Sequence, residues 1–99
     1  MLKLSSKVRT IGEESGELGS MIRAVRRNKD SEGVYCVMHS DATEGLMEIA
    51  PLAYARLEAR DRDITVFGLA KGKTNALELV RQIVDSMAKQ GRFDVSDYL

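Results

Sequence analysis

Two short stretches of this sequence contain the side chains best suited to chemistry. One holds His39, the single histidine, with Asp41 two positions later. The other is rich in glycine and lysine and contains Gly68, Lys71, Gly72, Lys73 and Thr74. A histidine can act as a general base near neutral pH, and lysines beside a helix N-terminus attract phosphate and other anions.

The second stretch is similar to a phosphate-binding loop but differs from it in spacing. The nucleotide-binding loop needs four residues between its two glycines, whereas only three separate Gly68 from Gly72 here. We therefore exclude a nucleotide-hydrolysing loop. The favoured interpretation is a solvated strand-to-helix turn in which Gly72 supplies backbone freedom and Thr74 caps the helix. The alternative is a simpler anion site at residues 71–74, which the helix N-terminus and the two lysines would form.

The first stretch does not make a catalytic triad. Adjacent residues of an extended chain point in different directions, so His39, Ser40 and Asp41 do not converge through sequence proximity alone. A hydrogen-bonded turn histidine is the simpler interpretation, with a lone general base as the alternative. Cys36 lies between apolar neighbours and is expected to be a core residue. No ligand spacing indicates a metal site.

The N-terminal third predicts a helix over residues 5–28, because apolar residues recur at steps of three and four. The glycines at 12, 16 and 19 weaken this prediction, since glycine in a helix interior costs about 1 kcal/mol relative to alanine. The alternative is a short strand at residues 7–11 followed by a helix that begins near Ser15.

The rest of the chain alternates between strand and helix patterns. Continuous apolar runs predict buried strands at residues 34–38 and 64–69. A capping-box spacing from Asp41 to Glu44 predicts a helix that is kinked or divided at Pro51. A last helix is expected to open at residue 74 or 75 and to stop at Gly91. The apolar tail at residues 92–99 is expected to dock on the body or on a partner.

These elements predict a small α/β domain spanning residues 1–99 with the order α-β-α-β-α. A strand–helix–strand connection favours parallel strands, and the carboxyl ends of parallel strands lie at one edge of a sheet. That rule predicts that His39 and Asp41 meet the 68–74 stretch in one site. Two parallel strands make a poor sheet, so we expect the termini or a homodimer partner to extend it.

Composition limits the remaining possibilities. The 99 residues include 43% hydrophobic side chains, enough for one core, and the formal net charge is zero. Residues 1–29 carry seven basic and three acidic side chains, whereas residues 30–70 carry three basic and eight acidic ones. A general polyanion binder would show a clear basic excess. One cysteine permits no internal disulfide, and no apolar run is long enough for a membrane span.

The sequence therefore favours a cytoplasmic, non-catalytic module, a homodimer that binds a partner protein or a small anionic or phosphate-bearing ligand at the strand ends. One alternative is a small enzyme with an active site shared between subunits. Another is a nucleic-acid-binding protein that uses the basic segment 23–29, although we favour the interpretation that these basic residues complement the dipole at a helix C-terminus. No cofactor is indicated.

Overall fold

The two apolar runs form the central strands of a four-stranded mixed sheet. The computed structural model describes residues 1–11, 15–27, 33–40 and 47–99. In chain order the elements are β1 (Leu2–Arg9), α1 (Ser15–Arg26), β2 (Val34–Ser40), β3 (Glu48–Pro51), α2 (Leu52–Glu58), β4 (Ile64–Lys71), α3 (Lys73–Gln90) and a short 3-10 helix (Val95–Tyr98). The predicted α/β class is confirmed.

The sheet order is β1-β4-β2-β3, and the two central strands are antiparallel. The prediction that residues 34–38 and 64–69 run parallel is therefore wrong. The reason is β3, which pairs antiparallel with β2 and reverses the chain before α2 begins. The helical connection that we expected from β2 instead leads from β3 to β4, and those two strands do share a direction. Strand β4 pairs directly with one parallel neighbour, β1.

The N-terminal residues form an edge strand rather than the first turns of a helix. The favoured helix over residues 5–28 is wrong in its first part, and α1 begins at Ser15 as the alternative predicted. Leu2 and Leu4 pair with the start of β4 and pack against the core. Pairing with β4 outweighs the local helical spacing, and β1 is the terminal strand that we expected to extend the sheet.

The helix predicted after Asp41 is shorter than expected. Residues 48–51 are strand β3, and α2 begins directly after Pro51, which occupies the N-cap position. Proline has no N–H to donate within a helix and suits a position at its start. Pro51 does mark the start of a helix, but the residues directly before it form a strand rather than the predicted first helix, and the capping box of Asp41 and Glu44 lies outside the described residues.

Two apolar layers hold the sheet between helices. Alternate residues of β2 point to opposite faces, so that Cys36 and Met38 join one core group and Val37 joins the other. Helices α1 and α2 cover the first face, and α3 covers the second with the 3-10 helix. All three of these β2 side chains are essentially inaccessible to solvent.

The C-terminal third confirms several predictions. Helix α3 ends at Gly91, whose left-handed backbone (φ 73°) supplies the C-cap. The tail docks on the body, where Val95 and Tyr98 are buried and the Ser5 hydroxyl donates a 2.8 Å hydrogen bond to the Tyr98 carbonyl. The Tyr98 ring also lies 6.2 Å from the Phe67 ring, centroid to centroid.

Candidate functional site

The two stretches singled out in the sequence lie at opposite ends of the sheet. In the antiparallel pairing of β2 with β4, His39 is opposite Thr65 and Lys71 is opposite Val34. Six residues of extended chain separate Thr65 from Lys71, which is roughly 20 Å. The predicted meeting of His39 with the lysine stretch is therefore wrong, and Asp41 lies outside the described residues.

Gly68 belongs to the core rather than to a ligand-binding turn. It lies inside β4, opposite Val37, next to a bulge at Phe67. A β-carbon at Gly68 would lie 2.9 Å from the Leu79 Cδ2 atom and 3.0 Å from the Val37 Cβ atom. Glycine is needed here so that α3 can approach the sheet closely.

Residues 71–74 form the exposed connection between β4 and α3. Gly72 has a positive φ of 81° and acts as the N-cap of α3, and no side chain caps this helix. The predicted capping by Thr74 is therefore wrong. The Gly72 N–H donates to the Gly33 carbonyl at 2.7 Å, and the Asn75 side chain donates to the Lys71 carbonyl at 2.8 Å. Anion binding by Lys71 and Lys73 stays a prediction.

A concave surface lies between the end of α1 and helix α2, on the other side of the molecule from residues 71–74. Its volume is about 750 Å³. We call it the arginine cleft, because the described residues that line it include three arginines and no acidic side chain. They are Leu2, Val25, Arg26, Ala53, Arg56, Leu57, Ala59 and Arg60.

Helical spacing places these residues on one wall. Ala53, Arg56 and Leu57 are three and four positions apart in α2 and so share a face. The Arg56 guanidinium donates a 2.8 Å hydrogen bond from Nη2 to the Ala24 carbonyl in the last turns of α1. This bond crosses between the helices, satisfies a carbonyl that the helix end leaves free, and sets the width of the cleft.

The three arginines have different exposures. Arg26 and Arg60 are exposed, whereas Arg56 is half-buried against the floor. A guanidinium presents a planar set of donors that matches a carboxylate or a phosphate. Hydrocarbon side chains such as Leu57 and Val25 line the same cleft as the three guanidinium groups. The cleft can therefore hold an anionic group and an apolar group at the same time.

Sequence reasoning found one of these arginines and missed two. Arg26 belongs to the basic segment 23–29, whose position at the end of α1 also suits the helix dipole. Arg56 and Arg60 lie in the acidic middle of the sequence, where the net negative charge of residues 30–70 concealed their positive charges. The available signal was their spacing of four on a helix, but only the fold brings that helix beside α1.

A second charged group consists of ion pairs within the chain. The Arg62 guanidinium pairs with the Glu58 carboxylate at 3.1 Å and with the Glu48 carboxylate at 3.7 Å, and it donates to the Ser40 hydroxyl at 3.2 Å. A hydrogen bond to Glu58 raises the pKa of the exposed Tyr54 hydroxyl. These contacts join β2, β3 and α2, so the group serves the fold.

The remaining chemical candidates do not converge with the arginine cleft. Burial raises the pKa of the Cys36 thiol to about 12, which keeps it protonated and unreactive at neutral pH. Among the described residues, no group of three or more histidine, cysteine, aspartate or glutamate side chains is arranged to hold a metal ion. None of the described helices is long and apolar enough to cross a membrane.

Comparisons of the chain with protein-family models, curated proteins and solved structures found no significant match.

Proposed function

We propose that this chain is a non-catalytic binding module whose arginine cleft takes a small anionic ligand with an apolar body. The observation behind this proposal is the lining, in which Arg26, Arg56 and Arg60 lie among hydrocarbon side chains and none of the described lining residues carries a carboxylate. This location replaces the strand-end edge that the sequence suggested. The homodimer and the cytoplasmic location remain part of the proposal.

The size of the cleft supports a small molecule. Ligand pockets in proteins commonly measure roughly 300–1,000 Å³, and this cleft has about 750 Å³. A carboxylate or phosphate can accept hydrogen bonds from the exposed guanidinium groups of Arg26 and Arg60. An alkyl or aromatic body can then lie along the Leu57 side chain, which is 55% exposed.

The chemistry of the lining favours binding over catalysis. The described lining residues provide guanidinium groups and hydrocarbon, and none of them has a carboxylate, imidazole, thiol or hydroxyl group. General acid–base and nucleophilic catalysis normally need one of those groups within hydrogen-bond reach of the substrate.

The test compares three probes by thermal melting and calorimetric titration. Octanoate supplies both an anion and an apolar body, inorganic phosphate supplies only the anion, and octanol supplies only the apolar body. We expect octanoate to raise the melting temperature most. A hundredfold excess over its Kd stabilises the folded state by about 2.7 kcal/mol, so the shift is readily measurable.

Matched variants locate the site. Arg26→Gln with Arg60→Gln should weaken octanoate binding by roughly three- to tenfold for each lost guanidinium. Lys71→Gln with Lys73→Gln removes the same charge at the β4–α3 connection and should leave octanoate binding unchanged. The proposal fails if octanoate does not bind, if only the lysine pair weakens it, or if an oligonucleotide binds through the same arginines in preference to octanoate.

A further inference from the structure

The sheet has an open edge at β3. This strand pairs with β2 on one side through Ile49, opposite Val37, and Ala50, opposite Cys36. In the described part of the chain no strand pairs with its other side. An unprotected edge presents backbone donors and acceptors that another strand can use.

Helix α3 has two unlike flanks beside its buried stripe. One flank is apolar, with Leu77 53% exposed, Val84 36% exposed and Val80 half-buried. The opposite flank is polar and consists of Asn75, Gln82 and Ser86. A solvent-facing helix surface needs no such asymmetry, so the apolar flank marks a contact surface.

The apolar flank of α3 lies on the β3 side of the molecule. Val80 packs against the same core group as Ile49 of β3. On the other face of the sheet, Tyr54 of α2 is 50% exposed and lines a shallow groove with Ile49 and Pro51. Exposed apolar side chains thus flank the β3 edge in both helical layers.

We infer that this edge, made of β3, the Leu77–Val84 flank and Tyr54, is the interface through which a second copy of the chain binds. The patch includes side chains from three layers, which are helix α3, the sheet edge at β3 and helix α2. A lone peptide strand added to β3 would occupy a band about 5 Å wide and would leave Leu77 and Tyr54 in water. A second copy brings a strand and both helical layers to the same edge.

Two-fold symmetry makes the patch complementary to itself. Two antiparallel β3 strands centred on Ile49 would join two four-stranded sheets into one of eight strands, with both α3 helices on the same face. The four paired residues of β3 span only about 13 Å, so the helix flanks must supply most of the roughly 800 Å² that each partner of a stable dimer buries.

Charge does not block this pairing. Charged residues commonly protect sheet edges, and Glu48 is the charged residue of β3. Its carboxylate already lies 3.7 Å from the Arg62 guanidinium of the same chain. Because the whole chain has zero formal net charge, two copies also approach without long-range repulsion.

The test measures mass against concentration by sedimentation and light scattering. We expect the parent protein to pass from 11.0 kDa to twice that mass in the micromolar range. Leu77→Lys, at an exposed position, should raise the dissociation constant of the dimer at least about a hundredfold and leave the melting temperature of the monomer unchanged. Gln82→Lys adds the same charge on the polar flank and should leave the dimer intact.

Two results would overturn this inference. One is a parent protein that stays monomeric to high micromolar concentration. The other is a dimer that survives both Leu77→Lys and Tyr54→Lys, since the second copy would then use another surface. Octanoate binding by the Leu77→Lys monomer is a separate readout, because the arginine cleft lies between α1 and α2.

Discussion

The close packing at Gly68 leads to a sharp stability prediction. Replacing this glycine with alanine puts a methyl group 2.9 Å from Leu79 Cδ2 and 3.0–3.2 Å from the Val37 Cβ and Cγ2 atoms. The leucine atom is the end of a flexible side chain and can move. Val37 is stiff at χ1 and buried in β2, so its contact has to be relieved by a shift of the strand or of α3.

The expected magnitude follows from two opposing effects. An extra methyl group in a packed core costs about 1–3 kcal/mol, whereas losing the backbone freedom of glycine in the unfolded chain stabilises by about 0.4–1 kcal/mol. We therefore expect Gly68→Ala to lower the free energy of unfolding by about 1–2 kcal/mol. For a chain of this size, that corresponds to a fall in melting temperature of roughly 5–15 °C.

Urea unfolding followed by circular dichroism measures this change, and Gly19→Ala is the matched control. At Gly19, within α1, the nearest atom to an added β-carbon is 3.6 Å away on the Arg23 side chain, an ordinary contact. The same substitution should there stabilise the protein by about 0.5–1 kcal/mol. Octanoate affinity should be unchanged in Gly68→Ala, because Gly68 does not line the arginine cleft.

A double-mutant cycle separates steric overlap from other causes. In a Val37→Ala background the Cγ2 atom that lies 3.2 Å from the added β-carbon is removed, so the cost of Gly68→Ala should fall by about 1 kcal/mol. A Gly68→Ala protein as stable as Gly19→Ala, or a cost that is unaffected by Val37→Ala, would refute the packing argument.

Three further predictions concern buried and capping groups. The Cys36 thiol, with its pKa raised to about 12, should resist a thiol reagent at pH 8 until urea unfolds the chain, and rapid labelling of the native protein would contradict this. The stability that the buried neutral thiol contributes is present below pH 9.0 and is lost as the pH rises toward 12. The hydrogen bond that the Ser96 N–H donates to the Asp94 carboxylate holds the pKa of this carboxyl below 3.8. The stability that this cap contributes is therefore present above pH 3.8 and is lost as the pH falls through the lowered pKa. The Ser96 amide resonance should shift with its midpoint at that lowered pKa. Tyr98→Ala should lower the free energy of unfolding by about 3 kcal/mol, because the ring is buried beside Phe67, and a loss below 1 kcal/mol in urea unfolding would argue against docking of the tail.

The elements with strong local signals were the ones that the sequence predicted well. Helix α3 combines a buried stripe with Gly91 at its end, and β2 and β4 are continuous apolar runs. In each case the side chains that define the element also bury its face, so local pattern and tertiary packing agree. Residues 2–9 lack that agreement, because their strand pairing depends on β4, more than fifty positions away.

The direction of the central strands had no local signal. Four residues of β3 reverse the chain after β2, and this reversal decides that His39 and Lys71 lie at opposite ends of the sheet. Only Pro51 marked the region, and it indicated where α2 starts rather than that a strand precedes it. The predicted location of the site was wrong because the prediction assumed that β2 and β4 run parallel and end at the same edge of the sheet.

Charge along the chain was similarly misleading until the chain was folded. The sequence has a basic N-terminal block at residues 1–29 and an acidic middle at residues 30–70. The acidic segment nevertheless supplies Arg56 and Arg60, which lie beside Arg26 of the basic segment in the same cleft. Its third arginine, Arg62, is the one that its own glutamates pair with. The described residues that line the cleft therefore combine arginines from two segments of opposite net charge, while the acidic side chains that pair with Arg62 lie outside that lining.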